Sequence, residues 1–165
     1  MNEVKNTCCF FGHRKISDAE SLKNKVYEVM ENLILNNNVD TFLMGSKSEF
    51  DSLCRDVAKK LKEKYLYIKR IYVRAEYPEI SDDYESYLLK SCEKTYFPEH
   101  IVKAGKLIYI KRNFEMIDKS KFCLVYFDES YTPVTNVKTK SGTRLAYDYA
   151  VKKQKNIINI FNQTK

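Results

Sequence analysis

Twice within the first 64 residues, a short apolar run ends in a glycine and gives way to a stretch with helical periodicity. Residues 6–11 (NTCCFF) end at Gly12, and residues 41–44 (TFLM) end at Gly45. Such runs are too short for helices and fit buried strands. After the first, Asp18 stands as an N-cap for a helix over 19–35. Leu22, Val26, Val29, Met30, Leu33 and Ile34 share one face of it, and Asn36, Asn37 and Asn38 close it. After the second, 49–64 repeats the pattern with Phe50, Leu53, Cys54, Val57, Ala58 and Leu61. A third strand over 66–73, rich in Ile and Tyr, continues the alternation. Strand and helix in turn predict parallel strands joined by right-handed crossovers.

The remainder fits the same plan less evenly. Residues 82–93 predict a short helix, and Pro78 keeps the segment before it extended. Residues 95–105 read as a loop, 107–109 as a short extended piece, and 111–118 as a helix leading into a strand over 122–127. A polar loop over 128–139 carries Pro133. Leu145, Ala146, Tyr149 and Ala150 then recur at helical spacing, and 156–161 form a last strand. The expectation is an α/β fold in a single domain over 1–165. Its doubly wound, mainly parallel sheet has about five strands in the order 3-2-1-4-5, with helices on both faces.

Composition narrows the function classes. Hydrophobic residues at 44% with 31% charged residues suit a soluble globular chain, and no apolar window is long enough for a membrane span. Glu3 and Lys5 stand where the apolar core of a signal peptide would begin, so a cytoplasmic location is expected. The five cysteines are odd in number and form no CxxC, which favours reduced core residues over a metal site or disulfides. The net charge of +7 invites nucleic acid as a partner. The lysines, however, are spread along every helix, with no compact basic run interleaved with aromatics. The same field attracts a small phosphorylated ligand equally well.

In a doubly wound sheet the ligand crevice lies off the C-terminal strand ends, where the strand order reverses. That rule gathers Gly12, His13, Arg14, the Gly45–Asp51 turn (GSKSEFD), Arg74, Asp128 and the Ser141–Arg144 turn along one edge. Gly12 allows close backbone approach, Arg14 offers a planar fork for phosphate or carboxylate, and His13 titrates near neutrality. Each also reads as an ordinary turn residue. Ser46 and Ser48 can donate to a phosphate or ribose. Glu49 and Asp51 either complement the helix dipole or act on a sugar as base or nucleophile. Ser141, Gly142, Thr143 and Arg144 open a helix whose free N–H groups attract an anion, or are simply capped by Ser141 or Thr143. Arg112 and Asn113 begin the helical segment before the fourth strand. There is no Walker A loop and no GxGxxG fingerprint, so ATP hydrolysis and dinucleotide binding lose support, and no cofactor is expected.

The runs FFGHR (10–14), MGSKSEFD (44–51), RNFEMIDKS (112–120) and SGT (141–143), taken in order, resemble the SLOG superfamily, and more closely its YpsA-like branch. The similarity spans nearly the whole chain. It implies a Rossmann-like sheet and a pocket for nucleotides or nucleotide-derived ligands such as ADP-ribose relatives. Some relatives are phosphoribohydrolases of the lysine-decarboxylase-like type. Others sense ADP-ribose-type or cyclic signals in bacterial antiviral systems, and others bind single-stranded DNA. Relatives often pair, so the resemblance is also compatible with a homodimer or higher homo-oligomer. Gly45 and Ser46 match the family's turn after the second strand, and Ser141, Gly142 and Thr143 its phosphate-facing turn. The chain departs from the phosphoribohydrolases beyond that turn. Leu145, Ala146 and Tyr147 stand where those enzymes carry a catalytic Glu, which leaves Glu49 or Asp51 as the only substitutes.

Overall fold

The computed structural model describes residues 3–45, 48–130 and 141–163. Six parallel strands form one sheet in the order β4-β3-β2-β1-β5-β6. They are β1 (Thr7–Gly12), β2 (Thr41–Met44), β3 (Lys69–Val73), β4 (Lys94–Tyr96), β5 (Phe122–Tyr126) and β6 (Asn156–Asn159). Five α-helices alternate with them: α1 (Ala19–Asn36), α2 (Glu49–Lys64), α3 (Asp82–Leu88), α4 (Ile108–Asp118) and α5 (Gly142–Lys152).

The central strands are apolar on both faces because helices cover both. Cys8 and Phe10 of β1 point to one side, where Phe10 stacks on Phe42 at 5.7 Å. Leu22, Val26 and Met30 of α1 and Phe50, Val57 and Leu61 of α2 fill that layer. Cys9 and Phe11 point the other way, against Met116 and Ile117 of α4 and Ala146 and Ala150 of α5. The two alanines carry no bulk beyond Cβ, which suits the close approach of α5. All five cysteines are buried and free, as expected of core residues. No helix among the described residues is long and apolar enough to cross a membrane.

The five expected strands stand in the expected order, and β4 extends the sheet beyond β3. It lies where residues 95–105 read as a loop. Three residues are too few for a periodicity; the strand is held by its parallel pairing with β3 and by Thr95 Oγ1, which donates to the Tyr72 carbonyl at 2.9 Å. Other boundaries also move. The third strand begins at Lys69 rather than 66, because Leu66 and Tyr67 are exposed in the turn after α2. α3 stops at Leu88 rather than 93. Residues 107–109, expected extended, are helical: a 3-10 turn over Gly105–Leu107 runs directly into α4. The last two strands end early for a shared reason. The Asn159 side chain accepts from Phe127 N–H at 3.1 Å and donates to the Phe127 carbonyl at 2.9 Å. It thereby replaces the ladder bonds the two backbones would have exchanged, and a 3-10 turn follows over Ile160–Gln163. The loop expected over 128–139 falls outside the described residues from position 131 onward.

Candidate functional site

The strand order reverses between β1 and β5, which pair in parallel from Cys8↔Phe122 to Gly12↔Tyr126. The loops that leave their C-terminal ends are tied together. His13, buried beside the rings of Tyr126 and Phe127, accepts the Asp128 backbone N–H on Nε2 at 2.9 Å. Burial lowers the His13 pKa, and the nearby Asp128 charge opposes this in part. An Nε2 that accepts an N–H is unprotonated, so the imidazole is neutral while the two loops are joined. His13 thus acts here as a staple at the switch point.

Gly12 is required at its position by packing. A Cβ there would lie 2.6 Å from Cδ2 of Phe50, which is fully buried in the first turn of α2. Arg14 is exposed, and its carbonyl accepts the Glu49 N–H at 2.9 Å, so the first loop also holds the start of α2. The Glu49 carboxylate is half-buried, accepts from Ile16 N–H at 3.4 Å and faces Lys15 at 4.0 Å.

After β2, Ser48 caps α2, its Oγ accepting the Asp51 N–H at 2.9 Å. Ser46 lies outside the described residues. Gly45 is buried, and its carbonyl accepts from Arg55 Nη1 at 2.9 Å. The guanidinium of Arg112 lies against Gly45: a Cβ there would sit 2.9 Å from Arg112 Cζ. Arg112 is only 2% exposed. Nη1 donates to the Val73 carbonyl at 3.0 Å, Nε donates to Asn113 Oδ1 at 3.1 Å, and the Tyr109 ring lies 5.7 Å away. Tyr109 in turn donates to Glu76. Burial pushes the Asp51 carboxyl up to about 6, against the opposing pull of Arg112, Ser48 and Arg55. Burial also lowers the Arg112 pKa, which Asp51 and Glu76 counter.

After β5, Ser141 caps α5 by accepting the Arg144 N–H at 3.1 Å. Gly142 is exposed, whereas Thr143 and Arg144 are half-buried. Arg144 lies over the Phe127 ring at 5.1 Å and donates from Nη2 to the Glu129 carbonyl at 3.1 Å. Asp128 accepts the backbone N–H and the hydroxyl of Ser130 at 2.9 and 2.6 Å.

The sheet thus brings the sequence-marked residues to one rim in linked groups: His13 with Asp128, Arg14 with Glu49, and Gly45 with Asp51 and Arg112. Arg74 belongs to the same rim but holds its own loop, donating to the carbonyls of Tyr77 and Pro78 and to Thr95 Oγ1. Arg55, Glu76 and Tyr109 were not singled out in the sequence. Glu76 and Tyr109 are 33 positions apart, and no local pattern links them. Among the described residues no three His, Cys, Asp or Glu side chains gather as a metal site. An open groove of about 330 Å³ lined by Lys25, Glu28, Val29, Asn32 and Ile158 runs between α1 and β6.

Asp51 makes a testable pH signature. Its folded pKa of about 6 stands above the ordinary 3.8, so the native state holds a proton that the unfolded chain has released. Stability contributed by this group therefore falls as pH rises between those values. Relative to Asp51→Asn, the wild type should lose up to about 3 kcal/mol between pH ~4 and pH ~7. Urea unfolding of both proteins across that range measures it, and a difference independent of pH would refute the shift.

No family model matches the chain, and no curated protein matches it.

Proposed function

We propose that this chain binds a nucleotide-derived, ADP-ribose-like ligand along the C-terminal rim of its sheet, as a sensor or a sequestering protein of SLOG type. The observation that carries the reading is the switch point between β1 and β5, where the loops bearing His13 and Asp128 are joined. In open α/β sheets this is where ligands enter. The capped start of α5, with Ser141, Gly142 and Thr143, offers N–H groups and a helix dipole to a phosphate, and the exposed Arg14 offers a second anchor. Glu49, half-buried at the neighbouring helix start, suits ribose hydroxyls. The net charge of +7 favours an anionic ligand.

A nucleotide N-glycosidase is the second reading, and one observation favours it. A carboxyl held near pH 6 by burial, as Asp51 is, suits acid–base work on an oxocarbenium-like transition state. Chromatography after incubation with ADP-ribose and nucleoside monophosphates separates the two readings. Released base supports the enzyme, and a raised melting temperature without turnover supports the binder.

Ser141→Asp tests the phosphate site directly. Asp is itself a good N-cap, so folding stability should change by less than about 1 kcal/mol. The new negative charge should weaken ADP-ribose binding at least about tenfold by calorimetry. Unchanged affinity would remove α5 from the site.

A further inference from the structure

The segment between β3 and β4 presents an aromatic ladder to solvent. Tyr77 meets Tyr84 edge to face at 6.0 Å, and Tyr84 stacks on Tyr87 at 6.2 Å with the rings 15° apart. Tyr77 and Tyr87 are 58% and 65% exposed, and α3 buries none of its residues. The presentation is built in. Tyr77 has a φ of +58°, a left-handed conformation that bulky residues rarely adopt. The buried Arg74 holds it there through the Tyr77 and Pro78 carbonyls.

Charge states what such a face would accept. Residues 75–89 hold five carboxylates, Glu76, Glu79, Asp82, Asp83 and Glu85, and no lysine or arginine. The other 150 residues carry all 29 basic side chains against 17 acids. Elsewhere on the surface, α4 and α5 form a complementary seam. Phe114 and Tyr149 stack at 4.0 Å, Lys111 and Lys153 lie over these rings, and Lys119 and Lys152 are exposed beside them. The acids of the seam are already engaged, Asp118 by the Tyr149 hydroxyl and Asp148 by Arg144.

We infer that the tyrosine ladder of one copy docks on the lysine-rimmed α4–α5 seam of a second copy of this chain. Carboxylates then meet ammonium groups, and tyrosine faces meet lysines and the Phe114–Tyr149 stack. Ladder against ladder would oppose like charges, so the contact is heterologous, head to tail. This inference stands apart from the ligand reading, since Tyr77, Tyr84, Tyr87, Lys119, Lys152 and Lys153 are not among the residues proposed to hold the ligand.

Sedimentation velocity on the full chain tests it with two variants. One replaces Tyr77, Tyr84 and Tyr87 by Ser; the other is Lys119→Glu with Lys152→Glu and Lys153→Glu. All six side chains lie on the surface, and circular dichroism checks that both variants fold. The wild type should exceed the monomer mass increasingly with concentration, and association should weaken about tenfold between ~0.05 M and ~0.5 M salt. Each variant alone should stay monomeric. Mixed together, they should form a heterodimer, because each keeps the surface the other has lost. A wild type monomeric at every concentration, a ladder variant that associates as the wild type does, or a mixture that stays monomeric would overturn the inference. So would capture of a lysine-rich peptide by a chain that never self-associates, which would assign the ladder to another partner.

Discussion

Replacing Arg112 by Met should destabilise the fold by about 3–5 kcal/mol, among the largest effects any single change outside the apolar core can have here. Three losses combine. The Val73 carbonyl loses a charged donor at 3.0 Å. The surface of Gly45 loses the planar group packed on it, which the more slender Met covers incompletely. The buried Asp51 loses the positive charge that most opposes the effect of its burial. The last loss gives the prediction a distinctive shape. Without Arg112 the Asp51 pKa rises further, so the variant should be hurt more at neutral than at acid pH. Adding Asp51→Asn should recover part of the loss at neutral pH, since a neutral amide leaves no orphaned charge. Urea unfolding of the two single variants and the double variant measures this. A loss under ~1 kcal/mol for Arg112→Met, or no recovery in the double variant, would show that the pair is not coupled.

The second large effect lies on the other side of the sheet, at the contact of Gly12 with Phe50. Phe50 is fully buried, stacks on Tyr126 at 5.8 Å and sits in the first turn of α2. Phe50→Ala should lower stability by about 3–5 kcal/mol through lost burial and the cavity left behind. Gly12→Ala should lower it by about 1–3 kcal/mol, because its Cβ would come within 2.6 Å of the ring and the packed ring has little room to retreat. The double variant should be more stable than the sum of the singles implies, since removing the ring makes room for the methyl. Strict additivity would mean that the contact does not govern either residue. The rim would feel both changes: Gly12 precedes His13, and Phe50 lies between Glu49 and Asp51.

The long helices were legible in the sequence because they repeat a signal over many residues. α1 and α2 begin at the expected positions, and the faces read from Leu22, Val26 and Met30, or from Phe50, Val57 and Leu61, are buried as read. The candidate rim was legible for a different reason: topology alone brings the C-terminal ends of parallel strands to one side. Short elements were not. β4 spans three residues, too few to show a periodicity, and owes its place to its pairing with β3 and to the Thr95 hydroxyl. The fate of individual rim residues was equally hidden. His13 and Ser141 each read two ways, as ligand groups or as local bonding partners, and both make such bonds with Asp128 and Arg144. Arg112 was marked only as the start of a helical segment, yet it is among the most buried charges described.

By itself the chain determined its class: strand runs apolar on both faces, alternating with amphipathic helices, leave few packings other than a parallel sheet covered on both sides. That information is local, carried by the spacing of side chains within one element. Only the tertiary structure decided which charged groups lose contact with water, as with Asp51 and Arg112. Desolvation depends on neighbours brought from tens of residues away, and it converts ordinary side chains into a paired interior, a stapled switch point and an exposed aromatic ladder.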